Sequence, residues 1–224
     1  MSTDSMRNNV QIVFYEPPER TDRVLRLGDV VKGYVLPSTK IKEPFLSFEN
    51  RVYHNYEINV EVPSFSVVLT PCCSIGDQMV CLTPLIHLRK DFPKNPYFAE
   101  DFSRINRMMD PEKTLSPTDW EQLGDEEKQR ISAKVKPYTL LDFFVYAPSD
   151  IFMPYDLRGQ PTKFYMIDFR NIHTLKCELI KNRDKIEQDE KSILESKCLQ
   201  LSERAREELR EKLSFYYWRP SETE

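Results

Sequence analysis

Up to residue 86 the apolar residues recur at the period of strands rather than helices. Val10 to Tyr15 is a short β-prone run stopped by Glu16-Pro-Pro. Val24 to Pro37 carries β-branched and aromatic residues around Gly28 and Gly33, which predicts a strand that bends sharply on entering a sheet. Between Val52 and Val62 the pattern alternates: Val52, Tyr56, Ile58, Val60 and Val62 share one face with His54, predicting an amphipathic strand. Ser66 to Thr70 does not alternate, so the expectation there is a central strand covered on both faces and ended by Pro71. Met79 to Ile86 reads as another short strand closed by proline. With little room left for helices, these runs predict a small half-open β-barrel or strongly bent sheet.

Asp91 to Lys113 is polar and Pro-bearing, with helical character around Asp101 to Met109. Ser116-Pro-Thr-Asp is a helix start, with serine as cap, proline at the first helical position and Asp119 completing the capping box. A second helix is expected from Asp125 to Val135, broken by Pro137, so residues 91 to 137 read as a helical insertion. Strand-like composition returns at Tyr138 to Ala147 and Lys163 to Phe169, which complete the barrel across a long sequence gap. From Asn171 onward the composition is helical. The last helix opens with a Ser202 cap and places Ala205, Leu209, Leu213 and Tyr216 on one stripe. The organisation expected is α+β: a barrel domain over residues 10–169 containing the insertion, then a C-terminal helical arm over 170–219.

Composition narrows the functional classes. The chain has 224 residues, 13 Phe and 11 Tyr, enough for a core without staples and incompatible with wholesale disorder. A net charge of −4 provides no global positive field, so nucleic acid is not the favoured partner. No apolar run approaches the ~18 to 20 residues of a membrane span, and residues 1–9 lack the basic start and apolar stretch of a secretory signal. The expected location is the cytoplasm, where the five cysteines, odd in number, stay reduced.

Cys72, Cys73, Asp77, Cys81 and His87 lie within sixteen residues and bring together the thiolate and imidazole ligands that a zinc site needs. The spacing argues against zinc, because adjacent cysteines on an extended segment point to opposite faces, so at most one joins Cys81 and His87. Cys73, Cys81 and His87 remain the weak candidates, with no cofactor expected. A cysteine nucleophile would need its pKa lowered by a histidine or a helix N-terminus, and the histidines available are His54, His87 and His173. Asp29 and Asp77 are the carboxylates a barrel could bring together for acid and base work, although Asp in a Gly-Asp turn more often serves as a structural cap. Five glycines leave little scope for a phosphate loop, and the basic strip Lys181 to Lys185 is offset by Glu187 to Glu190. The feature least explained by folding is Phe215-Tyr-Tyr-Trp-Arg219: four consecutive aromatics cannot share one helix face, so Phe215, Tyr216, Tyr217, Trp218 and Arg219 are the candidate partner-binding residues.

Leu27-Gly-Asp-Val-Val-Lys-Gly-Tyr-Val35 followed by Phe65-Ser-Val-Val-Leu-Thr-Pro71 resembles the opening of the PemK/MazF-like, SH3-type barrels, toxins that cleave RNA. The arginine that this family places before the apolar strand is absent, since Val62-Pro-Ser-Phe65 stands there. Val67 to Ile75, together with Leu199 to Leu213, is also similar to a group of bacterial proteins without an assigned activity, which have Cys-Asp in place of Cys73-Ser74. The resemblance implies a non-catalytic protein-binding or regulatory module of a bacterial stress or antiviral defence system, such as a CRISPR-associated accessory protein. The alternative it implies is a toxin-like endoribonuclease with a displaced active site.

Overall fold

The computed structural model describes residues 13–21, 24–41, 56–71, 79–109, 115, 117–133, 138, 140–176 and 196–218. In chain order the strands are β1 (Val30–Val31), β2 (Leu36–Ile41), β3 (Tyr56–Glu61), β4 (Ser66–Val68), β5 (Met79–Pro84), β6 (Ile86–His87), β7 (Phe143–Tyr146), β8 (Tyr155–Leu157), β9 (Gln160–Thr162), β10 (Tyr165–Asp168), β11 (His173–Lys176) and β12 (Lys197–Leu199). The helices are α1 (Pro96–Glu100), α2 (Pro117–Glu121), α3 (Asp125–Ala133) and α4 (Glu203–Trp218). Among the described residues all pairing is antiparallel: a five-stranded sheet in the order β11-β5-β4-β1-β12, a three-stranded sheet in the order β6-β10-β7, and the hairpins β2-β3 and β8-β9.

The two larger sheets share chain. β5 runs through Pro84 and Leu85 into β6, and β10 turns through Phe169 to Ile172 into β11, so each of these paths contributes to both sheets. Strands from either side of the insertion therefore pair directly, with Cys81 opposite Thr174 and Tyr165 opposite His87. The class is α+β, but the sheets do not close into a barrel. Between β12 and β7 the gap is filled by residues 14–16: Glu16 donates to the Gln200 carbonyl, Ser202 donates to the Phe14 carbonyl, and the Tyr15 hydroxyl donates to the Ala147 carbonyl at 2.6 Å.

Alternating side chains give both sheets cover on two faces. Val67 of β4 enters the main core with Val30, Phe144, Tyr146, Ile167, Leu201, Ala205 and Leu209, while Val68 enters a second cluster with Leu25, Leu36, Val80 and Leu82. This accounts for the unbroken apolar run in β4. On the three-stranded sheet Phe143, Val145 and Met166 face the insertion and meet Phe92, Phe98, Phe102 and Ile105. The insertion also finishes the edge of β7, because the Asn106 side chain accepts from the Val145 amide at 2.6 Å and donates to its carbonyl at 2.7 Å. An amide with both donor and acceptor substitutes here for a neighbouring strand.

Three expectations are corrected. The strand predicted over 24–37 is broken at Gly33, whose φ of +83° turns β1 away from β2. The alternating strand is present as β3, but Ile58, Val60 and Val62 are 67%, 59% and 75% exposed, because among the described residues β3 pairs only with β2 and the hairpin reaches the core through the fully buried Leu36. Residues 173–176 and 197–199, expected to be helical, are strands: each completes an edge of the five-stranded sheet, where pairing outweighs local helix propensity. Val10 to Ile12, Val52 and His54, Cys72, Cys73 and Asp77, and the basic strip of 181–185 lie outside the described residues.

At the centre is a buried ion pair. Gly28, at φ +87°, allows the chain to fold against α4; a Cβ there would overlap Leu201 Cδ1 and lie 3.0 Å from Leu209 Cδ2. Asp29 is then held with no exposed surface: its Oδ2 accepts from the Arg26 amide at 2.8 Å and from Lys197 Nζ at 2.8 Å. Lys197 Nζ donates further to the Val24 carbonyl and the Gln200 side chain, at 2.8 and 2.7 Å. Asp29 is thus a buried, ion-paired residue of the core, and Asp77, its suggested partner for acid and base work, lies outside the described residues.

Removing one partner strands the other charge in the core, so Lys197→Met and Asp29→Leu should each cost about 3–5 kcal/mol, with the double replacement recovering much of the loss. Urea unfolding of the three variants checks this, and purely additive losses would contradict it. Burial pushes the Asp29 carboxyl up to about 6 despite the attraction of Lys197 and Arg206. Its folded value therefore stands above the unfolded ~3.9, so the stability it contributes is fully present below about pH 4 and is lost as pH rises through about 6. The difference in urea midpoint between wild type and Asp29→Asn, followed from pH 3.5 to pH 7, should bend in that window.

Candidate functional site

The sequence of α4 divides its surface into an anchored face and a free end. Ser202 caps it, its Oγ accepting from the Ala205 amide at 3.3 Å and its carbonyl accepting from Arg206. Ala205 and Leu209 are fully buried, and Leu213 and Tyr216 pack at the core's edge, so the predicted stripe faces the sheet. At the last turn the aromatics part company. The Tyr216 ring lies 5.5 Å from Phe169, and Phe215 makes an edge contact with Tyr138 at 5.3 Å. Trp218 is 85% exposed, and Tyr217 is 63% exposed with its ring in edge contact with Tyr216 at 5.3 Å. At 100° per residue this division is unavoidable: one residue of four continues the stripe and its neighbours leave it. Arg219 lies outside the described residues.

The candidates for metal chemistry are separated. Cys81 is half-buried in β5, its Sγ 3.5 Å from Thr174 Oγ1. His87 is exposed on β6, in the other sheet, stacked on Tyr155 with ring centroids 3.9 Å apart and its Nε2 3.2 Å from the Tyr165 hydroxyl. Cys73 lies outside the described residues. Among the described residues no three His, Cys, Asp or Glu side chains gather as a metal would require. His173 is buried as a structural link, with Nδ1 2.9 Å from the Pro37 carbonyl and Nε2 2.9 Å from the Asn171 side chain, which ties β11 to the β2-β3 hairpin.

Two features were not read from the sequence. One is a cleft of about 210 Å³ lined by Phe14, Asp101, Ser103, Arg107, Phe164 and, from α4, Glu208. Burial raises the Glu208 carboxyl there, against the opposing charges of Arg107 and Arg204. The other is Lys212, fully buried on α4. Its position three residues after Leu209 was the available signal, because that spacing places it on the apolar stripe. Among the described residues no helix is long and apolar enough to cross a membrane.

No protein-family model, curated protein or solved structure matches this chain.

The split at the end of α4 has a direct mutational signature. Tyr216→Ala should destabilise the chain by about 2 kcal/mol, whereas Tyr217→Ala and Trp218→Ala should stay within about 0.5 kcal/mol of wild type. Urea midpoints measured under one condition check the difference, and a large loss for Trp218→Ala would mean that its ring is packed rather than free.

Proposed function

We propose that this chain is a non-catalytic binding or regulatory module that holds a protein partner through the end of α4. It works in the bacterial cytoplasm as part of a stress or antiviral defence system, as accessory proteins of CRISPR type do. The observation that carries this reading is the exposure of Tyr217 and Trp218 on a helix whose opposite face is fixed in the core. Trp and Tyr dominate interface energetics because each covers a large apolar area with few rotatable bonds. Displayed from an anchored helix, they lose little further freedom on binding.

The bent pair of sheets is read as an open relative of the PemK/MazF-like, SH3-type barrel. Support comes from β5-β6 and β10-β11, each running through both sheets, and from the Gly28-Asp29 bend that begins β1. The pathway rests on the resemblance of Leu27 to Val35 and Phe65 to Pro71. A protein partner is favoured over nucleic acid because the net charge is −4 and an exposed aromatic pair is interface chemistry.

Affinity capture from the native host with wild type, Tyr217→Ala and Trp218→Ala tests the reading. A partner retained by wild type should be lost from both variants while their circular dichroism is unchanged. Equal retention by all three would remove the aromatic end from the interface. Cleavage of RNA by the purified chain, abolished in His87→Ala, would favour the ribonuclease instead.

A further inference from the structure

A lysine fastens α4 to the helical insertion. Lys212 is 0% exposed, and its Nζ donates to the Ile105 carbonyl at 2.5 Å, within the 3-10 turn Phe102–Asn106. Its Nζ also lies 5.5 Å from the centroid of the Tyr138 ring. An ammonium carries three donors, whereas among the described residues this seat offers one acceptor and one aromatic face. A neutral amine gives one of its two N–H groups to that carbonyl and buries no charge, whereas the ammonium brings a full charge and a third donor into the same buried seat. We propose that Lys212 is a proton-sensitive latch between α4 and the helical insertion, tight with the neutral amine and loosened by the ammonium.

The surrounding charges do not compensate. Asp142, ahead of β7, is the carboxylate that favours the ammonium, and Arg170 Nη1 approaches it at 3.6 Å. On α4 itself, Glu211 is engaged by the Tyr138 hydroxyl, and Glu208 faces Arg204 and Arg107. From the insertion, Arg104 pairs with Glu100, and Arg107 is a further cation. Tyr138, pushed up to about 12 mainly by burial, keeps its proton while Lys212 titrates. Burial brings Lys212 down from 10.5 to about 7, against the pull of Asp142. The docked amine thus binds its proton more weakly than a released lysine. Docking therefore tightens as pH rises from about 7 toward about 10, by up to about tenfold per unit, and is nearly constant below pH 7.

Tyr217 and Trp218 lie in the turn and a half of α4 that follows Lys212. The latch would set how firmly that end is presented; this consequence rests on the binding reading, whereas the latch does not. The test reads docking within the chain alone. ¹⁵N NMR of the Lys212 amine in the full chain, assigned against Lys212→Met, is combined with amide exchange of residues 102–107 and 205–216 from pH 6.5 to 9, corrected for intrinsic rates.

The expected amine midpoint is near pH 7, with protection rising about fivefold from pH 7 to 8 in wild type and staying flat in Lys212→Met. Lys212→Arg, charged throughout, should be weakly protected at every pH. A midpoint above 9, or the same protection profile in wild type and Lys212→Met, overturns the latch. If neither variant folds, the wild-type midpoint decides, with the resonance assigned by its coupling to Lys212 side-chain carbons. A failed latch leaves capture of a partner by Tyr217 and Trp218 untouched, and failed capture leaves the titration untouched.

Discussion

The ion pair between Asp29 and Lys197 is the constraint on which the rest of the molecule depends. It joins the bend before β1 to the first residue of β12, and β12 leads directly into α4. Neither strand could hold this junction by pairing alone, since β1 has two residues and β12 has three. Taking both charges out of water is expensive, and the geometry offsets that expense only because Lys197 finds three acceptors and Asp29 Oδ2 two donors. The other Asp29 oxygen has no hydrogen-bond partner, so the site is strained toward protonation even with a cation beside it.

From that junction the order of the C-terminal half follows. Residues 14–16 lie along 200–202, Tyr15 reaches across to Ala147, and α4 descends over the core with Leu201, Ala205 and Leu209 inward. The helix is therefore held at three levels: by the ion pair at its entrance, by its apolar stripe along its length, and by Lys212 at its far end. What leaves the surface beyond Lys212 is aromatic and exposed, the reverse of an ordinary helix end, which favours polar residues. A rigid support beneath an exposed Tyr and Trp is the physical basis for reading this end as a contact surface.

Elements governed by local chemistry were legible in the chain. The unbroken run in β4, the returns to strand composition at β7 and β10, the Ser202 cap and the stripe of α4 all express short-range patterns that survive folding. Of the candidate partner-binding surface, the need for the four aromatics to divide was legible, and which of them face solvent was not. The face of β3 was misread for a related reason. Alternation states that two sides differ, whereas burial requires a partner layer, and over Ile58, Val60 and Val62 the described residues supply none.

By itself the sequence determined the class of the protein, an α+β chain with a strand-rich first part, a helical insertion and a capped, amphipathic last helix, because period and capping depend on neighbours a few residues apart. Tertiary structure alone decided that residues 173–176 and 197–199 extend a sheet, that Asp29 and Lys197 meet, and that a lysine lies buried on an apolar stripe. Each of those outcomes depends on which distant segment arrives to supply a strand edge, a counter-charge or a carbonyl, and local propensity carries no information about that arrival.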